Sequence, residues 1–112
     1  MKLVTAILRP EILDKVREAL CDVDIPGMTV TEVKGFGKQK GHKELYRGNE
    51  FTVEFVNKVK LEIAISNKNL DVLINTISDA ACSGKKGDGK IFVTDIEKVV
   101  RIRTGETNHN AI

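Results

Sequence analysis

The sequence of 112 residues predicts an α+β fold in which strands and helices follow the order β-α-β-β-α-β. Three observations support this prediction: two segments with apolar residues at helical spacing, one segment with strict alternation of apolar and polar residues, and further short segments rich in β-branched residues. The length suits a single domain covering residues 1–112. This order is typical of the ferredoxin-like sandwich, in which two helices cover one face of a sheet.

The first half of the chain predicts a strand, a helix and a second strand. Residues 2–9 (KLVTAILR) are aliphatic and β-branched, as in a strand. Pro10 suits the first position of a helix, and Pro26-Gly27 marks the turn that ends this unit. Residues 28–33 (MTVTEV) alternate and predict the second strand. The apolar stripe of the helix comprises Ile12, Val16, Ala19 and Leu20.

The second half predicts a third strand and a second helix. Apolar residues alternate with mostly charged ones over residues 58–65, which is the period of a strand. Residues 70–81 carry an apolar stripe at helical spacing. Asn67 or Asn69 suits the start of this helix, and Gly84 is placed to end it.

The chain is predicted to finish as strand over residues 91–93 and 99–103. Arg101 and Arg103 alternate on the last segment, so both side chains are expected to point the same way. The sheet face opposite the two helices is expected to be open, and an open face invites a partner.

The charge balance and the rare residue types exclude several classes of function. A formal net charge of +2 argues against a general nucleic-acid binder. No apolar segment reaches the ~18–20 residues of a membrane span or forms a signal-peptide core, so a cytoplasmic location is expected. Cys21 and Cys82 match no metal or redox spacing and are expected to be buried free thiols. His42 and His109 are isolated, so a metal site built wholly from side chains is not expected.

A long segment without sustained period separates the second and third strands. It runs from Gly35 to about Val53 (GFGKQKGHKELYRGNEFTV), and structureless loops beyond ~12–15 residues are usually functional. A mobile binding loop and an extended hairpin both remain open, because Phe51, Val53 and Phe55 alternate along the return limb.

A glycine-rich cluster at residues 84–90 (GKKGDGK) has the spacing of a phosphate-binding P-loop. The match fails because Ile91 replaces the Ser or Thr that holds magnesium. It also fails because the cluster follows a predicted helix and precedes a predicted strand, the reverse of a P-loop. The sequence therefore does not predict a P-loop hydrolase.

The same cluster keeps the capacity to bind an anion. Gly87 and Gly89 allow backbone N–H groups to converge, and Lys90 adds a positive charge. Arg101 and Arg103 would add planar guanidinium groups, each of which can donate two hydrogen bonds to a phosphate. Phosphate binding and a solvated basic turn both remain open on these residues alone.

A second cluster, residues 34–37 (KGFG), matches the opening of an RNA-recognition signature, and that domain has the same element order. Residues 38–41 (KQKG) lack the aromatic ending, however, and the signature belongs on the third strand rather than the second. RNA binding stays an alternative. The sequence contains no paired carboxylates at motif spacing, no nucleophile elbow and no oriented Cys–His pair, so it favours binding over catalysis.

Several longer stretches resemble the PII nitrogen-regulatory signal proteins. They are residues 28–37 (MTVTEVKGFG), 83–93 (SGKKGDGKIFV) and 101–106 (RIRTGE), together with Gly41-His42 and residues 44–48 (ELYRG) in the long segment. The similarity extends over almost the whole chain and keeps a fixed spacing throughout.

The resemblance implies a ferredoxin-like homotrimer that binds ATP or ADP in clefts between subunits. The residues that would hold the phosphates by position are Gly87, Asp88, Gly89, Lys90, Arg101 and Arg103. The residues that would line the rest of the nucleotide site are Thr29, Gly35, Gly37, Lys38, Gln39, Glu62 and Ala64.

The resemblance also implies 2-oxoglutarate as an effector beside Mg-ATP. Gln39 would contribute to the magnesium ion, and Lys58 would pair with a carboxylate of the effector. The residues that would bind 2-oxoglutarate are Gln39, Lys40, Gly41, Lys58 and Gly87.

The loop of about residues 37–55 would change conformation with the ligand and dock on a target. Relatives act on an ammonium transporter or on an enzyme or regulator of nitrogen metabolism, and the loop sequence does not choose between them. The residues that would contact the target are Tyr46, Arg47, Gly48, Asn49 and Phe51.

Three departures from the family pattern change these expectations. Phe51 replaces a tyrosine that relatives modify with a nucleotidyl group, and Asn49 replaces a serine that cyanobacterial relatives phosphorylate. Both routes require a hydroxyl group, so regulation by small ligands alone is expected. Lys38 replaces a common arginine, which puts a phosphate contact there in doubt.

Overall fold

The computed structural model describes residues 1–25, 27–36 and 55–112. Its elements follow the order β-α-β-β-α-β, which confirms the predicted α+β ferredoxin-like fold. The strands and helices are β1 (Lys2–Leu8), α1 (Leu13–Asp22), β2 (Thr29–Gly35), β3 (Val56–Ile65), α2 (Leu70–Ala81) and β4 (Lys90–Asp95).

The four strands form one antiparallel sheet in the order β2-β3-β1-β4. The strands β1 and β3 lie at its centre, and β1 pairs Ala6 with Leu61 of β3 and with Ile91 of β4. The strand β2 pairs with β3 from Thr29 opposite Glu62 to Gly35 opposite Val56. This order brings the first and last strands side by side, which becomes important at the functional site.

The hydrophobic core lies between one face of the sheet and the two helices. Alternate residues of β1 and β3 face the helices and are almost fully buried, because side chains of a strand point alternately to its two faces. The helices contribute the i, i+4 pairs Val16 with Leu20 and Leu73 with Ile77. The buried strand residues are Val4, Ala6, Leu8, Val59, Leu61, Ile63 and Ile65.

The helix boundaries agree with the residues that predicted them. Pro10 opens a short 3-10 turn that leads into α1, where its missing N–H is not needed. Asn69 occupies the position before α2, but its side-chain amide donates to the hydroxyl of Ser66 at 3.3 Å rather than capping the helix. Beyond the end of α2, Gly84 adopts a positive φ of 81°.

The prediction of a strand over residues 99–103 is wrong. Val100 forms only an isolated bridge with Thr107, and a turn follows it. In this turn the N–H of Gly105 donates to the carbonyl of Arg101 at 2.8 Å, and the N–H of Arg101 donates to the carbonyl of Glu106 at 2.9 Å. The chain folds back on itself because these backbone groups pair locally. Arg101 and Arg103 therefore do not alternate on a strand.

The prediction of buried cysteines is also wrong. Cys21 and Cys82 are exposed free thiols in this chain. Cys21 follows Leu20 on α1, and one residue farther along a helix is a rotation of about 100° away from the buried stripe. Cys82 lies one residue beyond the end of α2.

The sheet face away from the helices carries no helix within residues 1–25, 27–36 and 55–112, as expected for an open face. Phe92 lies on this face opposite Thr5 and is 50% exposed. None of the helices in the described ranges is long and apolar enough to cross a membrane.

Candidate functional site

The glycine-rich cluster forms a tight turn between α2 and β4, here called the glycine turn (residues 83–89). It connects a helix to a strand, as the sequence indicated, and not a strand to a helix as a P-loop does. Gly84, Gly87 and Gly89 all have positive φ, with 108° at Gly89. A Cβ atom on Gly89 would lie 1.8 Å from the carbonyl oxygen of Ile7, so only glycine fits against β1 here.

The carboxylate of Asp88 stabilises the glycine turn by hydrogen bonds to residues at its start. It accepts hydrogen bonds from the hydroxyl of Ser83, from the N–H of Ser83 at 2.8 Å and from the N–H of Gly84 at 3.0 Å. The donors on Ser83 first, then Gly84 and the charge of Arg9, lower the pKa of Asp88 from 3.8 to about 2. The side chain of Asp88 is thus committed to the turn. Any contact of this residue with a phosphate would use its backbone N–H.

Arg9 completes this arrangement, and the sequence reasoning missed it. Its guanidinium donates to Oδ1 of Asp88 at 2.7 Å, to the hydroxyl of Ser83 at 3.3 Å and to the carbonyl of Lys86. The signal was the pairing of the first and last strands, β1 and β4: Ile7 lies opposite Lys90, so two residues farther Arg9 comes beside Asp88. Sequence spacing alone does not reveal this neighbour, because it requires the strand order.

Lys58 joins the glycine turn from β3. Its Nζ donates to the carbonyl of Gly87 at 2.9 Å. Gly35, at the end of β2, lies next to the same lysine, since a Cβ atom on Gly35 would lie 3.4 Å from Cγ of Lys58. Lys90 is the first residue of β4 and is exposed. Six predicted site residues therefore meet at one end of the sheet: Gly35, Lys58, Gly87, Asp88, Gly89 and Lys90.

Four other predicted residues lie around a second feature, here called the C-terminal hollow. It is a cavity of about 410 Å³ lined by Gly27, Met28, Thr29, Glu62, Ala64, Val99, Arg101, Ala111 and Ile112. Arg101 is partly exposed, and its Nη1 forms an ion pair with Oε1 of Glu106 at 2.9 Å. Arg103 is exposed on the turn that follows.

The two features lie apart within one chain. Lys58 and Glu62 point to the same face of β3, but four residues of strand separate them by roughly 13 Å. The predicted site residues therefore form two clusters, one at the glycine turn and one at the C-terminal hollow.

The remaining predicted residues belong to the part of the chain between Phe36 and Phe55. Those two phenylalanines are described: their ring centroids are 5.9 Å apart, and each is 61% exposed. The two ends of the predicted loop of about residues 37–55 are therefore adjacent. The residues that fall outside the described ranges are Gly37, Lys38, Gln39, Lys40, Gly41, Tyr46, Arg47, Gly48, Asn49 and Phe51.

The glycine turn has the chemistry of an anion site. Among the described residues, the N–H groups of Gly87 and Gly89 have no hydrogen-bond acceptor. Arg9 and Asp88 neutralise each other, whereas Lys90 is exposed and adds positive charge. N–H groups in a turn with positive φ, beside a lysine, suit a phosphate or carboxylate.

Comparison with known proteins identifies the family. The model of the family described as nitrogen regulatory protein P-II matches residues 1–106. The nitrogen regulatory protein P-II of Pasteurella multocida is 59% identical over 112 residues, which is 100% of both chains. The nitrogen regulatory protein GlnK of Escherichia coli is 57% identical, and the P-II protein of Rhizobium meliloti is 54% identical, again over 100% of both chains.

The chain belongs to the P-II family. The resemblance seen in the sequence is thereby confirmed. Proteins of this family are regulatory signal proteins and not enzymes, so the chain is assigned to nitrogen regulation rather than to catalysis. P-II and GlnK proteins act on target proteins, which makes a protein partner part of the assignment.

Proposed function

We propose that the protein binds ATP or ADP between two copies of the chain, within a homotrimer. The glycine turn of one copy would hold the phosphates, and the C-terminal hollow of a neighbouring copy would hold the rest of the nucleotide. The observation that carries this proposal is the presence of two half-sites, roughly 13 Å apart along β3, on a single chain. The open sheet face supports association, because packing against another copy would bury Phe92.

The chemistry of each half-site supports its role. The N–H groups of Gly87 and Gly89, which have no acceptor in the described part of the chain, would bind phosphate oxygens, and the positive charge of Lys90 lies beside them. Thr29 and Glu62 bring hydrogen-bonding groups to the C-terminal hollow, and its volume suits a small planar group. Arg101 and Arg103 would reach the phosphates from the neighbouring copy.

The proposal includes 2-oxoglutarate as the effector. Nζ of Lys58 already lies 2.9 Å from the carbonyl of Gly87, which keeps a positive charge beside the glycine turn. A dicarboxylate bound there would pair with Lys58 and with the backbone of Gln39, Lys40 and Gly41.

Magnesium would accompany ATP, with Gln39 as its protein ligand. Among the described residues no group of three or more histidine, cysteine or carboxylate side chains is placed to hold a metal ion. Oxygen atoms of the nucleotide and of 2-oxoglutarate would therefore supply most of its ligands. The ion would neutralise phosphate charge and link the two small molecules.

Regulation would work through the loop of about residues 37–55. The adjacent positions of Phe36 and Phe55 support this mechanism, because a ligand near the root of the loop touches both of its ends. ADP and Mg-ATP with 2-oxoglutarate would favour different loop conformations, and only one would dock on the target. The target would be an ammonium transporter or an enzyme or regulator of nitrogen metabolism. The protein itself would stay in the cytoplasm.

Calorimetry on the purified protein tests the ligands. We expect ADP and ATP to bind, and 2-oxoglutarate to bind only when Mg-ATP is present. The change Lys58→Gln should abolish 2-oxoglutarate binding and keep ADP binding, because it removes the charge that pairs with a carboxylate. Lys60→Gln is the matched control, since Lys60 lies on the same face of β3. Absence of any nucleotide binding by the unmodified protein would refute the proposal.

A pull-down from native membranes and cytosol tests the target. The protein is immobilised once with ADP and once with Mg-ATP plus 2-oxoglutarate, and captured proteins are identified by mass spectrometry. We expect an ammonium transporter, or a nitrogen-metabolism protein, in only one of the two conditions. Equal capture in both would contradict ligand control of docking.

A further inference from the structure

The contact between Arg9 and the glycine turn has features of a fixed support rather than of a binding group. Three atoms of the turn accept hydrogen bonds from the one guanidinium: Oδ1 of Asp88, the hydroxyl of Ser83 and the carbonyl of Lys86. The side chains of Arg9 and Asp88 are only 27% and 22% exposed. Three of the five N–H donors of the guanidinium, on both Nη1 and Nη2, are thus engaged with the turn.

Arg9 and Asp88 together tie the turn at its start, middle and end. The carboxylate of Asp88 holds the N–H groups of Ser83 and Gly84, which begin the turn, while Arg9 reaches Lys86 in its middle. Arg9 also lies directly under Gly87, because a Cβ atom there would come within 2.9 Å of Nη2 of Arg9. The ion pair thus sets the path of the backbone at Gly87 and Gly89, whose N–H groups have no acceptor among the described residues.

We propose that the side chains of Arg9 and Asp88 are positioning groups that preorganise the glycine turn for phosphate binding without touching the phosphate themselves. This inference rests on the proposed nucleotide function and adds to it the residues that shape its phosphate half-site. A preformed turn binds more tightly because the cost of ordering it is met in folding rather than in binding.

The direction in which one substitution changes ADP affinity distinguishes a positioning role from an effect of charge alone. Asp88→Asn makes the turn more positive, so electrostatics alone would tighten the binding of an anion. Loss of preorganisation instead weakens ADP binding by roughly tenfold, the factor that one charge-assisted hydrogen bond commonly contributes. Arg9→Gln should weaken ADP binding by a similar factor.

Lys85→Gln is the matched control. It removes one positive charge from the same turn, as Arg9→Gln does, but the side chain of Lys85 is exposed and makes no hydrogen bond with the described residues. We expect its ADP affinity to change less than threefold, within the range of a screened surface charge. Equal losses in Lys85→Gln and Arg9→Gln would indicate a charge effect and overturn the inference.

Amide hydrogen exchange without nucleotide gives an independent readout. In Asp88→Asn, residues 83–89 should exchange faster than in the unmodified protein, while β1 and β3 keep their protection. Unchanged exchange, or ADP binding at least as tight as that of the unmodified protein, would overturn the inference. If the unmodified protein binds no ADP, the proposed function fails instead, and the exchange readout still tests the support of the turn.

A milder variant covers the case in which Asp88→Asn does not fold, as judged by circular dichroism. Ser83→Ala removes only the hydroxyl that bridges Arg9 and Asp88. The same hydroxyl also accepts from the N–H of Lys85 at 3.2 Å, so three hydrogen bonds are lost while the ion pair of Arg9 and Asp88 remains. We expect a loss of ADP affinity of roughly threefold or more. Full affinity in this variant would overturn the inference.

Discussion

Gly89 shows how closely the glycine turn packs on the sheet. Its φ of 108° belongs to a region that residues with a Cβ atom rarely adopt, and the carbonyl oxygen of Ile7 occupies the place of that atom. Two separate penalties, backbone strain and a steric clash, therefore oppose any larger residue. Gly105 has a similar backbone conformation, with φ at 76°, but open space around it.

We expect Gly89→Ala to destabilise the fold by about 3 kcal/mol or more, because strain and clash add. Gly105→Ala should cost only about 1 kcal/mol, because strain acts alone. Urea unfolding followed by circular dichroism measures both. A loss at Gly105 equal to that at Gly89 would show that contact with Ile7 has no part in the effect.

Asp88 makes a second prediction at the scale of a residue, on the dependence of stability on pH. Its folded pKa of about 2 lies below the unfolded value of 3.8, so its contribution to stability is present above pH 3.8 and is lost as pH falls toward 2. In Asp88→Asn this part of the acid loss should be missing. Carboxyl-carbon NMR measures the titration directly, and a midpoint near 3.8 for Asp88 would contradict the hydrogen-bonded arrangement.

At the scale of elements, α2 packs against the sheet through only one of its faces. Leu73 is fully buried against the sheet, whereas its neighbour Val72 is 49% exposed on the same helix. The helical period explains the difference, since adjacent residues point about 100° apart. The same period made α1 and α2 predictable from the sequence, because it is a local property.

The change Leu73→Ala should reduce the free energy of unfolding by about 2–5 kcal/mol, through lost burial and the cavity left behind. Val72→Ala is the control on the next position and should stay within about 0.5 kcal/mol. Thermal or urea unfolding of both variants gives the comparison. Similar losses for the two would mean that α2 does not pack as described.

At the scale of the whole molecule, the proposed assembly would use the open face of the sheet. Phe92 is half exposed at a place where a monomer would present a large apolar ring to water. In the proposed trimer this face meets other copies, and the two half-sites of different chains come together. Nucleotide binding and assembly would then depend on each other.

Phe92→Glu should therefore break the assembly, because burying an unpaired carboxylate at an interface is costly. Native mass spectrometry should show three chains for the unmodified protein and single chains for the variant, with loss of ADP binding. Val72→Glu, on the helical side, should leave the assembly intact. A trimer that survives Phe92→Glu would place the interface elsewhere.

The sequence by itself determined the element order, the buried faces and the family. The element order and the buried faces depend on the period of apolar residues, and the family depends on motifs at fixed spacing. Both are local patterns, which can be recognised without knowing which elements contact each other. Gly87 and Gly89 also indicated a turn with an unusual backbone conformation, because the backbone freedom of glycine is intrinsic to the residue type.

Only the tertiary structure decided which residues far apart in the sequence lie next to each other. The support of Asp88 by Arg9 depends on β1 lying beside β4, and the position of Thr29 opposite Glu62 at the C-terminal hollow depends on the register of β2 and β3. The predicted last strand failed for the same reason. Alternation at residues 99–103 is compatible with a strand, but a strand needs a partner along its length, and Val100 pairs only with Thr107.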